Sequence, residues 1–395
     1  MVAQYIEKEE DRILTLRSSA LNYIETLALR SEETEKLRKL PVETIKECRE
    51  NGFFSLCQPM RYGGAELPLD AVVDILSILA RGCASTAWVC AVYADHAVLV
   101  SKMGKKATDE IWDKKPGSTI SASVNPVGKV EVVEQGYSLS GKWGWASGCD
   151  SADWFLVGAF IPDDDGNNVH NLFLVPRKDI QIEDNWHVLG MKGTGSKNLI
   201  IKESIVPNYR VIRMEDANAD ADEISRDSIE PIYQLPQVAS VPFVFAGVIL
   251  GIAESLLKFI TEQISQRKSM GVNLCELQSM QLHIAEISAE IDCARLLIMR
   301  DTSESMAAMR VNTALTMKQR GRNRRDMAYA SRLCKSGVDR LVDIAGASGV
   351  FDDHIAQRKY RDLQVATRHI ALSWDLAGTT CGEITFGLEP SSNLI

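Results

Sequence analysis

Paired cysteines are absent. Nine are spread along the 395 residues, at 48, 57, 83, 90, 149, 275, 293, 334 and 381, and none stands in a CxxC spacing. That pattern suggests neither a zinc knuckle nor a disulfide framework and fits reduced thiols in a cytoplasmic protein. An excess of positive charge is absent too. With 44 Lys and Arg against 53 Asp and Glu, the net charge of -9 argues against a nucleic-acid surface. The one basic cluster, RGRNRRD at 320–326, is expected on a solvated loop joining two helices. The first residues, MVAQYIEKEEDRILTLR, are charged from the start and lack the apolar core of a signal peptide, so export is not expected. Only one long apolar run occurs, residues 238–260, and it carries Ser240, Pro242 and Glu254. A helix buried inside a bundle is the expectation, with no membrane span.

Histidine is scarce, with six in the chain. His170, His187, His283 and His354 stand in separate segments without a full metal-ligand set, so they read as surface or capping residues and no metal is expected. Nucleotide fingerprints are lacking as well. GMKGTGSKN at 190–198 is not GxGxxG, and its Ser196-Lys197 reverses the order of a phosphate loop.

What is present falls into three blocks, expected at 1–117, 118–225 and 226–395. In the first, Ser31 with Glu32 and Glu33 suggests an N-cap and acidic first turn, Pro41 opens the helix VETIKECRENG, and Gly52 closes it. The second block is short and alternating, broken by Gly, Pro, Asn and Asp, which predicts an antiparallel β domain. An acidic, loop-like DANADADEISRDS then leads into long helical periods typified by MQLHIAEISAEIDCARLLIMR. The fold class is therefore α+β: helices, strands, helices.

Within this frame several residues invite chemistry. KWGWAS places Trp143 and Trp145 on one side of an extended strand with Ser147 two further on, as an ordinary core strand or as a wall for a planar ring. Thr194 and Ser196, with free amides of the Gly-rich turn, make either a plain turn or a hold for a ring edge or phosphate. In ASTAWVCAVYADHAV, Trp88 and His96 are two turns apart on one helical face, which taken alone reads as a core pair.

In this order the pieces resemble the acyl-CoA dehydrogenase superfamily nearly end to end. The matches are Trp145 to Ser147, WHVLGMKGTGS followed by Ile205 to Pro207, RKSMG with Arg267 and Gly271, and GASG from Gly346 to Gly349. The resemblance implies an N-terminal helical domain, a central β domain and a C-terminal four-helix bundle. In dehydrogenases of this family an Arg-Asp segment leads into Tyr-Glu-Gly, whose glutamate takes the α-proton of an acyl thioester. Counting from Arg361-Asp362, that place holds His369-Ile370-Ala371. Isoleucine cannot accept a proton.

A histidine there, with Trp88, His96 and KWGWAS, resembles instead the oxygenase components of two-component flavin monooxygenases of the p-hydroxyphenylacetate hydroxylase type. That resemblance implies reduced flavin, FADH2 or FMNH2, delivered by a separate NAD(P)H-dependent reductase, and O2 added to form a C4a-hydroperoxyflavin that hydroxylates a phenol or an indole. It assigns His369 as base or substrate anchor and Ser147 beside flavin N5. Trp88, His96 and Trp145 would shape the pocket, and Thr194 and Ser196 would lie at the cofactor. Arg267 would meet the flavin phosphate across a subunit boundary, near Gly346, in a homotetramer. SASVNP brings Ser121 and Ser123 to the substrate side, with the register between them open. An acyl-CoA dehydrogenase or oxidase using FAD and a carboxylate such as Glu254, and an N- or S-oxygenase of the same fold, are the alternatives.

Overall fold

The computed structural model describes residues 2–219, 230–269 and 271–392. Five helices come first: α1 Val2–Leu37, α2 Val42–Glu50, α3 Leu69–Gly82, α4 Ala84–Ser101 and α5 Lys105–Trp112. Pro41 stands at the N-cap of α2, where its fixed φ costs nothing and its missing N–H is not needed, and Gly52 ends the segment at φ 77. Ser31 is not a cap: α1 runs through it, and its hydroxyl donates to Ala28 O within the helix. The acidic pair beside it is outweighed by a helical period that continues to Leu37.

Seven strands follow: β1 Ile120–Val133, β2 Gly136–Ala146, β3 Trp154–Pro162, β4 Asn168–Pro176, β5 Gln181–Glu183, β6 Lys197–Val206 and β7 Val211–Arg213. They lie in the order β5-β6-β2-β1-β3-β4-β7. The sheet is mixed, which corrects the expectation of an antiparallel one, because β1 and β3 run parallel. The cause is the length of β1. Its second half pairs with β2 as a hairpin, whereas Ile120 to Ser123 pair with Trp154 to Val157 after the chain has turned back through residues 147–153. The register shifts beyond Ser123, and the bulge lets one strand serve both neighbours.

The chain then becomes helical again, with α6 Met214–Ala217, α7 Pro231–Gln234, α8 Gln237–Gln266, α9 Gln278–Arg310, α10 Met317–Ala345, α11 Ile355–Ala366 and α12 Trp374–Thr385. Residues 220–229 of the acidic segment, with the expected boundary at 225, lie outside the described residues. α8 is the apolar run, and 72% of its most apolar window is buried in the protein. It packs against α3, α4, α9, α10 and α11.

RGRNRRD forms part of α10, not a loop. Arg300 and Arg325 pair with Asp326, and Arg300 and Arg322 pair with Asp301. Two buried carboxylates thus draw the basic cluster against α9, which composition alone does not reveal.

Candidate active site

α4 is buried along its whole length except at His96 and Ser101. A partly accessible histidine in so covered a helix faces an internal recess rather than bulk water. Two turns earlier on the same side, Trp88 stacks on Phe245 of α8 with ring centroids 4.2 Å apart. His369, between α11 and a 3-10 turn at Ile370–Leu372, packs 4.2 Å from Phe245 and 5.7 Å from Trp88. Three elements far apart in sequence therefore build one aromatic wall.

The two histidines on this wall differ in polarity. His96 Nδ1 lies 2.9 Å from Ile120 O. A carbonyl only accepts, so Nδ1 carries the hydrogen and Nε2 keeps a lone pair. His369 Nδ1 accepts the Ala371 N–H at 3.3 Å, which leaves the hydrogen on Nε2. Burial pushes both imidazoles down to about 4, and at His369 the neighbouring His96 adds to the effect. Both rings are neutral at pH 7, one offering an acceptor and the other a donor.

The sheet adjoins this wall at Ile120, whose carbonyl holds His96. Ser121 Oγ donates to Ser147 O at 2.8 Å and Ser123 Oγ to Gly144 O at 2.6 Å, so both hydroxyls stitch β1 to the end of β2. Ser147 Oγ is 2.7 Å from Ser196 Oγ, which is 2.7 Å from Thr194 Oγ1, which donates to Met191 O at 2.9 Å. The last acceptor sets the direction. Thr194 spends its hydrogen on the carbonyl, Ser196 donates to Thr194, and Ser147 donates to Ser196, leaving lone pairs on Ser147 Oγ.

Trp143 and Trp145 do not share a side. Trp143 is fully buried and donates its indole N–H to Gly158 O, whereas Trp145 is 71% exposed with its edge on Trp186. A left-handed φ of 67 at Trp145 breaks the two-residue alternation, so the sequence rule fails at this one residue.

Arg267 and Gly346 meet each other but not this recess. Arg267 donates to Ala345 O at 2.9 Å, and a Cβ on Gly346 would lie 4.0 Å from its guanidinium. Arg267 is 22 residues beyond Phe245 along α8, about 33 Å at 1.5 Å per residue. Glu254 is held by Arg81 at 3.0 Å and Arg295 at 2.5 Å, so it is not a free carboxylate base. Among the described residues no cluster of His, Cys, Asp and Glu could hold a metal ion.

Residues 10–114 match the family described as acyl-CoA dehydrogenase, N-terminal domain, and residues 243–374 match acyl-CoA dehydrogenase, C-terminal domain. The chain is 31% identical over 372 residues to the oxygenase component of the FADH(2)-dependent resorcinol hydroxylase of Rhizobium sp. (strain MTP-10005), covering 91% of each. It is 33% identical over 375 residues to the oxygenase component of p-hydroxyphenylacetate 3-hydroxylase of Acinetobacter baumannii, covering 93% of this chain and 88% of that one. The chain belongs to the acyl-CoA dehydrogenase-fold family of flavin-dependent monooxygenase oxygenase components. Among solved structures, the HsaA monooxygenase of M. tuberculosis superposes with a TM-score of 0.90 at 29% identity, over 97% of this chain and all of that one. XiaF from Streptomyces sp., in complex with FADH2 and glycerol, superposes with a TM-score of 0.91 at 25% identity, over 97% of this chain and 98% of that one.

Phe245, Trp186 and Met191 in this oxygenase component were not singled out by sequence. Phe245 is one apolar residue among many in VPFVFAG. Trp186 and Met191 stand inside WHVLGMKGTGS, where the motif marks the segment but not the carbonyl that gathers its hydrogen bonds.

Proposed function

We propose that this oxygenase component inserts one oxygen atom of O2 into a small aromatic ring bearing an O–H or N–H, a phenol or an indole. One oxygen atom goes to the ring and the other leaves as water, with two electrons drawn from reduced flavin supplied by a separate NAD(P)H-dependent reductase. When bound, reduced flavin supplies the activation of O2. The residues fit such a group: an exposed indole at Trp145, a hydroxyl acceptor at Ser147, and an aromatic wall linked to them through Ile120 and Ser121, which bond His96 and Ser147.

The observation that carries this reading is the pair of neutral imidazoles in opposite tautomers. His96 Nε2 accepts the hydrogen of the substrate O–H or N–H, which raises electron density in the ring. His369 Nε2–H donates, and so anchors oxygen rather than acting as the base. Trp88 and Phe245, stacked on each other, line the ring's site as an apolar wall and exclude water. Ser121 and Ser123, with their hydrogens already engaged, hold the strand end that carries Ser147. Arg267 and Gly346, far from the recess, serve the flavin tail of a neighbouring subunit in a homotetramer. The enzyme works in the cytoplasm, where its reductase finds NAD(P)H.

The test is a turnover assay with chemically reduced FMN or FAD, O2 and a panel of phenols and indoles, with mass detection of oxygenated product. Product carrying one 18O atom from 18O2 is expected. H2O2 alone with every aromatic offered would contradict the reading.

A further inference from the structure

The loop that carries Thr194 and Ser196 is clamped from outside the cleft. Met191 takes a left-handed φ of 53, and its N–H donates to Asp362 Oδ1 of α11 at 2.6 Å. Its carbonyl receives the Trp186 indole N–H at 3.2 Å, the Thr194 hydroxyl at 2.9 Å and the Thr194 N–H at 3.1 Å. One residue earlier, the Gly190 backbone presses so hard on α11 that a Cβ would lie 2.1 Å from Arg361 O. Arg361 donates to Leu189 O at 2.8 Å and is paired with Glu35, which also takes Lys192 and Arg358 at 3.2 Å each. Burial pushes the Asp362 carboxyl up to about 6, while the Met191 N–H and Lys359 pull it back. At neutral pH it is an anion, and an anion receiving a backbone N–H makes the stronger kind of hydrogen bond.

Three hydroxyls separate that anchor from the cleft, and their direction is not arbitrary. Because Met191 O can only accept, the relay ends with Ser147 Oγ as an acceptor. Oxidised flavin presents a bare nitrogen at N5, which needs a donor; reduced flavin carries a hydrogen there, which needs an acceptor. We propose that Asp362 is a positioning residue for the cofactor: by pinning Met191 it fixes the Thr194–Ser196–Ser147 relay, so that the site holds reduced flavin in preference to oxidised flavin. This rests on the placement of Ser147 at flavin N5 in the functional reading above.

The experiment is an equilibrium titration of the full-length protein with FMN and with FAD, each in oxidised form and, anaerobically, in reduced form. The readout is the ratio of the two dissociation constants, which involves no turnover. Asp362→Ala, Thr194→Val and Ser147→Ala are each expected to lower the preference for reduced flavin by about three- to tenfold, the scale of one hydrogen bond. Asp362→Asn should retain it, since an amide oxygen still accepts the Met191 N–H. Adding Asp362→Ala to Ser147→Ala should lower the ratio no further. Asp362→Ser, too short to reach Met191, gives the same reading should the alanine variant not fold. If Ser147→Ala lowers the ratio and Asp362→Ala leaves it unchanged, or weakens both redox forms equally, the positioning role is overturned while the Ser147 placement survives. An unchanged ratio in Ser147→Ala itself overturns both.

Discussion

The two sides of the cleft are built from different materials. The helical side is aromatic, with two neutral imidazoles set among Trp88 and Phe245. The sheet side is a chain of small hydroxyls ending on a backbone carbonyl, backed by ion pairs of α1 and α11. An aromatic wall recognises a ring by its faces and lets burial set imidazole charge. A hydroxyl chain recognises an edge and fixes which way hydrogens point. Under the proposed function the first handles substrate and the second cofactor, and the histidine and Gly190 variants below are each aimed at one side.

The largest expected effect is on the helical side. His96→Ala should lower hydroxylation by about 10²–10⁴-fold, the usual scale of a lost general base, while O2 consumption continues and H2O2 replaces product. Product formed per O2 consumed reads this out, and equal losses in both would erase the distinction between the two sides. His369→Ala should cost about 10²-fold, as for a lost donor, with partial recovery in His369→Gln, whose amide still donates.

On the sheet side, Gly190→Ala forces a Cβ onto the α11 backbone. It should cost about 1–3 kcal/mol in stability, the scale of overpacking, seen as a lower unfolding midpoint together with weaker flavin binding. No such pairing of losses is expected from changes at the aromatic wall.

Acid sharpens the comparison with a smaller effect. Both imidazoles sit near 4, below the ordinary 6.5, so each stays neutral as pH falls through 6. Product yield per O2 should therefore hold within about twofold from pH 7.5 to 5.5, and fall only as His96 begins to take up a proton below that. A yield that halves near pH 6.5 would place the histidine in ordinary solvent. Smallest of all is Glu254→Gln, which breaks ion pairs with Arg81 and Arg295 outside the recess. It should change hydroxylation by less than about twofold, because Glu254 lies nine residues beyond Phe245 along α8, about 14 Å at 1.5 Å per residue. Loss of activity there would revive a carboxylate-base mechanism.

Sequence pattern carries the architecture, and it names candidate site residues more readily than it gives their geometry. His369 was reachable by counting from Arg361-Asp362, and Trp88 with His96 by helical spacing, since both rules depend only on local periodicity. Ser147, Thr194 and Ser196 could each be named, but their joining into one directed relay depends on Met191 O, a backbone atom with no signature in sequence. Trp145 was misplaced relative to Trp143 because one left-handed residue resets the alternation. The parallel β1–β3 pair and the α10 ion network escaped for a common reason: each is settled by a partner distant in the chain.

The central claim is the opposed polarity of two neutral imidazoles, and 15N NMR of histidine-labelled protein at pH 7 tests it most directly. Only six histidines contribute signals, so His96→Gln and His369→Gln assign the two that matter. The expected result is hydrogen on Nδ1 of His96 and on Nε2 of His369. A doubly protonated ring at either position, or the same tautomer at both, would contradict it.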